Sequence, residues 1–138
     1  INYTIQFNGM EISQLSTGQK GIVLLKLLLR LSNKTCPLLI DQPEDNLDNK
    51  SIFDELVQEF KSIKEKRQLI IATHNPNLVV NTDSEEVIIA SYSNRRTDGY
   101  ISYESGSLEN PIIKDKVCNI LEGGIEAFNK RQQKYCII

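Results

Sequence analysis

Leu38-Leu39-Ile40-Asp41-Gln42-Pro43-Glu44-Asp45-Asn46-Leu47-Asp48 decides how the chain is read. Three apolar residues run into an aspartate, then a turn proline, then an acidic cluster closing on Leu47-Asp48. Short apolar runs bounded by turn signals read as buried strands. Asp41 therefore stands where a core strand ends, the usual place for a ligand site in an open α/β sheet. Carboxylates and carboxamides fill five of the seven positions from Gln42 to Asp48. By itself such a cluster is equally a solvated acidic loop, so its neighbours must decide.

Downstream, Asp48 or Asn49 can cap a helix reaching about Lys66. Its apolar positions Ile52, Phe53, Leu56, Val57, Phe60 and Ile63 recur at three- and four-residue intervals. Gln68 to Thr73 reads as a second buried strand, and Asn75-Pro76 as a cap with proline at the first helical position. Glu86 to Ser91 is a third strand. Residues 95–99 form a turn leading into a strand over Tyr100 to Tyr103, so this pair reads as a hairpin. A last amphipathic helix covers Asn110 to Lys134, interrupted at Gly123-Gly124, where each glycine costs about 1 kcal/mol against alanine, so either the helix breaks there or another backbone approaches closely.

Upstream, residues 2–7 alternate as a half-buried strand and Asn8-Gly9 signals a turn. A helix is expected from Thr17 to Asn33. Ile22, Val23, Leu24, Leu25, Leu27, Leu28, Leu29 and Leu31 make it apolar almost all round, which predicts deep burial. Lys26, Arg30 and Asn33 or Lys34 are its narrow polar stripe. Strand–helix alternation with short apolar strands predicts an α/β fold: a mostly parallel sheet flanked by helices, with a short antiparallel hairpin and a C-terminal helix.

A chain of 138 residues suits one domain with a real core. A net charge of -2 argues neither for nor against nucleic acid, so any basic patch must be local. Lys26, Arg30, Lys34, Arg95 and Arg96 are the local candidates, and a solvated surface explains them equally well. No run is long enough to span a bilayer, so no membrane partner is expected. The three cysteines have no metal-like spacing and fit free thiols in a reducing cytoplasm. The ending Tyr135-Cys136-Ile137-Ile138 is one residue short of a prenylation box, so no lipid anchor is expected.

Four stretches then occur in order: Leu15-Ser16-Thr17-Gly18-Gln19 at a helix start, Leu38-Leu39-Ile40-Asp41 at a strand end, Asn46-Leu47-Asp48 just beyond, and Ala72-Thr73-His74-Asn75 at the next strand end. This order resembles the C-terminal half of an ABC-type ATPase head, with its signature motif, Walker B, D-loop and switch histidine. Within that superfamily it is similar to the SMC/RecF-like ATPases. The run Asp41 to Asp48 and the tail Gly123 to Tyr135 resemble the TrlF-type AAA-like group.

The resemblance implies ATP and Mg²⁺ as cofactors, with Asp41 holding the metal. It implies that Ser16, Gly18 and Gln19 face the γ-phosphate of ATP held by a second copy. A helix N-terminus suits that task, since its free N–H groups and dipole favour a phosphate. A plain N-cap explains Ser16 or Thr17 as well. Thr17 replaces the glycine more common in the motif. Asp48 would make the D-loop contact across the homodimer, and His74 would sense the γ-phosphate.

Gln42 departs from the family pattern, where a glutamate follows the Walker B aspartate as general base. A carboxamide cannot take a proton from water, but it can orient that water. Glu44 lies two residues on, about 6–7 Å along an extended segment, and is the other candidate base. Slow hydrolysis, hydrolysis through Glu44, and binding without turnover all stay open.

The phosphate-binding Gly-x-x-x-x-Gly-Lys-Ser/Thr loop is missing: none of the seven glycines precedes a lysine. The chain starts at Ile1 without an initiator methionine. Residues 1–138 are thus expected to be one C-terminal segment of a larger head, partnered by an N-terminal P-loop half of the same protein. The resemblance implies work on DNA in repair or defence against foreign DNA. The competing reading is an ATP-gated scaffold with little hydrolysis. A transporter's nucleotide-binding subunit ranks lower, because the segment from signature to Walker B is short. Nuclease activity lacks a second pair of strand-end carboxylates.

Overall fold

The computed structural model describes residues 4–32, 35–93 and 99–136. Parts of three expected features fall outside these residues: Asn2 and Tyr3 of the first strand, Asn33 and Lys34 of the polar stripe, and residues 95–98 of the hairpin turn. Backbone contacts divide the chain into two compact units, Ile1–Thr73 and His74–Ile138.

In the first unit, β1 (Gln6–Phe7) pairs antiparallel with β2 (Met10–Glu11). Asn8 and Gly9 turn the chain between them, both at positive φ (51° and 80°). A 3₁₀ turn, Ile12–Gln14, leads to α1 (Thr17–Leu31). Next come β3 (Leu38–Asp41), α2 (Asn49–Ser51), a six-residue π-helical stretch (Ile52–Val57), α3 (Gln58–Lys64) and β4 (Leu69–Ala72). β3 and β4 pair in parallel, from Leu38 opposite Leu69 to Asp41 opposite Ala72.

The core of this unit is built from Leu15, Ile22, Val23, Leu29, Ile52, Leu56, Val57, Phe60 and Ile63. Two ion pairs join α1 to the helical run after β3. Lys26 Nζ donates to Glu55, and Arg30 Nε and Nη2 each donate to Glu59 at 3.1 Å. The Glu59 carboxylate is only 8% exposed, so the guanidinium satisfies a group that would otherwise be costly to bury. Lys26 also lies 5.6 Å from the centre of the Phe7 ring, within cation–π range.

In the second unit, Asn75 caps α4 (Pro76–Asn81), its side chain accepting from Asn77 N–H, with Pro76 at the first helical position. β5 (Val87–Ser93) and β6 (Tyr100–Gly106) form an antiparallel pair, Val87 opposite Gly106 and Ser93 opposite Tyr100. On one face of this pair Ile89 packs with Ile113 and Val117 of α5 (Pro111–Leu121). The other face leaves Ile88, Tyr92, Ile101 and Tyr103 exposed. Gly123 (φ 75°) and Gly124 (φ 91°) end α5 and start α6 (Ile125–Lys134). Both adopt backbone angles that L side chains avoid, so the glycine pair is a break in the helix.

Three expectations need correction. The sheet is not mostly parallel: β3–β4 is the single parallel pair among the described strands, beside two antiparallel ones. The physical reason lies in the connections. Parallel neighbours need a crossover, which the helical run from α2 to α3 supplies once, whereas two residues separate β1 from β2 and six separate β5 from β6 in the chain. Second, β3 and β4 are not buried on both faces. They alternate, with Leu39 72% exposed and Ile70 also exposed. Third, α1 is buried along one side only. Leu24, Leu28 and Leu31 are exposed, one helical turn apart.

Burial sets the expected response to truncation. Phe60 is 1% exposed, so Phe60→Ala should cost about 3–5 kcal/mol. Leu28 is 69% exposed, and Leu28→Ala should stay within about 0.5 kcal/mol of wild type. Urea midpoints at constant slope check both, and equal losses would mean the packing is wrong.

Candidate functional site

The C-terminal ends of β3 and β4 carry the acidic loop. Asp41 is the last residue of β3 and is exposed. Gln42 follows with φ 44°, and its N–H donates to Ala72 O at 2.8 Å, extending the strand pairing by one bond. The chain then turns tightly: Asp45 N–H bonds Gln42 O at 3.2 Å and Leu47 N–H bonds Glu44 O at 3.0 Å. Asn46 has φ 64°. The turn leaves Gln42 exposed and carries Glu44 inward, where it is 4% exposed and accepts a hydrogen bond from the Thr73 hydroxyl.

The start of α1 meets the far end of this loop. Ser16 caps the helix: its Oγ accepts from Gln19 N–H at 3.2 Å, and Gln19 Oε1 accepts from Ser16 N–H at 3.0 Å. This capping box occupies the Gln19 carbonyl oxygen and leaves the Ser16 hydroxyl proton to point elsewhere. Gly18 is buried against the loop. A Cβ there would stand 2.2 Å from the Asn46 carbonyl oxygen and 2.8 Å from Leu47 Cδ2. Only glycine fits this approach.

Asp48 caps α2. Its Oδ1 accepts from Ser51 N–H at 2.9 Å and its Oδ2 from the Ser51 hydroxyl at 2.6 Å. These bonds, the hydroxyl first, hold the Asp48 carboxyl below the usual carboxylate range.

The first unit therefore gathers two groups. Asp41, Gln42 and Glu44 share the turn at the β3–β4 end. Gly18, between Ser16 and Gln19 at the start of α1, adjoins Asn46, two residues before Asp48. His74 is exposed and is the first residue of the second unit. Among the described residues, no three of His, Cys, Asp or Glu gather closely enough to hold a metal by themselves. A single strand-end carboxylate fits Mg²⁺, which keeps several waters and takes its other ligands from phosphate. The basic candidates Lys26 and Arg30 are engaged with Glu55 and Glu59, while Lys34, Arg95 and Arg96 lie outside the described residues. No helix among the described residues is long and apolar enough to cross a membrane.

Sequence reasoning passed over Thr73, Asn46, Glu55 and Glu59. The one sequence signal for Thr73 is its place just beyond Ala72, at the end of the second apolar strand. The glutamates each pair 29 residues away in the chain, a separation that carries no sequence signature.

A family profile described as "AAA domain, putative AbiEii toxin, Type IV TA system" matches residues 8–81, more than half of the chain. The chain belongs to this AAA family. No curated protein matches it. Among solved structures, a chain from work on ATP-driven dimerization and DNA-stimulated activation of SMC ATPases is similar over 76% of this chain, with 20% identity and a TM-score of 0.60. An Smc head bound to the C-terminal winged-helix domain of ScpA is similar over 75%, with 21% identity and a TM-score of 0.54. The chain spans 62% of the first structure and 30% of the second. At such identities the likeness concerns the fold: this AAA-family chain has an α/β fold like that of SMC ATPase heads.

Two outcomes follow from this geometry. Gly18→Ala must push α1 from the loop and should cost about 1–3 kcal/mol. Gly21→Ala, with nothing within 4 Å of the added carbon, should stabilise by about 0.5–1 kcal/mol; melting curves of the pair decide. Because the Asp48 carboxyl is held low, its cap contributes above the unfolded-state value and is lost as pH falls through the folded one. The melting-temperature advantage of wild type over Asp48→Asn should shrink below about pH 4. A constant gap down to about pH 2.5 would contradict the assignment.

Proposed function

We propose that the chain is the C-terminal part of an ATP-binding, ATP-hydrolysing head that dimerises around MgATP. The observation that carries this reading is the turn at the β3–β4 end. It presents Asp41 and Gln42 outward at the rim where ligands bind in open α/β sheets, in a family of AAA domains.

Asp41 would hold Mg²⁺, which when bound neutralises phosphate charge. Gln42 orients the attacking water through its carboxamide. Ser16 and the α1 N-terminus offer a hydroxyl and backbone N–H groups to a phosphate of the other subunit's nucleotide. Asp48 belongs to that same outward surface, since Gly18 packs on the loop that leads to it. His74 keeps the sensor role that the sequence resemblance gives it.

The phosphate-binding loop comes from an N-terminal half of the same protein. The exposed Leu39–Ile70 face supports this, because parallel strands are normally covered on both faces and Asp41 lies on that side. The relatives' SMC context extends the proposal to DNA as partner, in repair or defence. The β3–β4 rim equally serves an ATP-held scaffold, which Gln42 favours by lacking a base.

Full-length protein carrying the P-loop is the material for the test. Wild type should bind MgATP, and Asp41→Ala should lose the Mg²⁺ dependence of binding. Gln42→Glu should raise kcat by up to about 10²-fold, the low end for a general base. A full-length protein that fails to bind MgATP would sink the reading. Wild type that binds and dimerises without turnover selects the scaffold.

A further inference from the structure

We infer that Thr73 is a positioning residue: its hydrogen bond to Glu44 fixes the turn that presents Gln42, and Glu44 is the anchor of that turn rather than the base. The inference rests on the ATPase reading for its consequence in turnover, but the clamp itself is a property of this chain.

Gln42 sits at φ 44°. That conformation is uncommon for a residue with a side chain and is disfavoured. The proline that follows restricts it further by disfavouring the right-handed helical alternative. Such a conformation persists only where its surroundings over-determine it. Two bonds to the end of β4 do so here. Gln42 N–H is tied to Ala72 O at 2.8 Å, and two residues later the Glu44 carboxyl is tied to the Thr73 hydroxyl. Backbone bonds from Asp45 to Gln42 and from Leu47 to Glu44 lock the turn between these anchors and Gly18.

Glu44 is 4% exposed. A general base needs hydrogen-bond reach to a water that also reaches the substrate. A buried carboxyl with a protein hydroxyl as donor is placed to hold structure. Gln42, exposed at the rim, is the group placed to meet that water.

The test uses full-length protein with Thr73→Val, Thr73→Ser and Glu44→Gln, read by amide hydrogen exchange without nucleotide and by steady-state ATP hydrolysis. Thr73→Val should speed exchange at Gln42, Asp45 and Leu47 by at least about 10-fold. It should lower kcat by about 10- to 100-fold with KM for ATP unchanged, the scale of a small misplacement at the reacting centre. Thr73→Ser, which keeps the hydroxyl, should restore both. Glu44→Gln keeps an acceptor oxygen and should retain turnover. Slow exchange in Thr73→Val overturns the clamp. Loss of turnover in Glu44→Gln with exchange still slow overturns the anchor role and makes Glu44 the base. A wild type without MgATP binding would sink the ATPase reading instead, and the exchange measurement would still decide the clamp.

Discussion

The carbonyl of Asn46 occupies the space where any side chain at position 18 would be. Much of the first unit is arranged around that approach. It brings the N-terminus of α1 onto the loop between β3 and α2, so two helix starts, capped by Ser16 and Asp48, belong to one surface. Further along, Lys26–Glu55 and Arg30–Glu59 tie the same two helical runs together. The helices are thus fixed at their beginnings by close packing and along their lengths by charge. Both helix starts are thereby held in place by the chain's own contacts.

The other end of the loop is organised by the β3–β4 pair. Parallel pairing aligns Asp41 with Ala72, and one further bond carries the register to Gln42. Beyond it the strand cannot continue, because Pro43 has no N–H to give. The loop therefore leaves the sheet at a defined residue. Gln42 and Glu44 end up in opposite environments, one exposed and one buried, although they are two positions apart.

Local chemistry was legible in the sequence and long-range pairing was not. The start of α1 at Thr17, the Asn75-Pro76 start of α4, the turn at Asn8-Gly9 and the break at Gly123-Gly124 depend on neighbouring residues, and each is found where the sequence placed it. The grouping of Asp41, Gln42 and Glu44 was legible for the same reason. The inward turn of Glu44 was not, because it needs Thr73, 29 residues away. The leucine-rich run of α1 showed hydrophobicity without showing what covers it, so Leu24, Leu28 and Leu31 were expected inside. Likewise the apolar strands 38–41 and 69–72 could not reveal how many parallel neighbours they have in this chain.

The π-helical stretch Ile52–Val57 governs how the acidic loop and the core are phased on one helical run. A π turn holds one more residue than an α turn and often marks a functional position. Here it separates the Asp48 cap from Glu59 and Phe60, which must face Arg30 and the core. Each residue in a regular helix advances about 100°. The wide turn changes that advance locally, so the phase at which Phe60 and Glu59 leave it depends on the π-helical stretch.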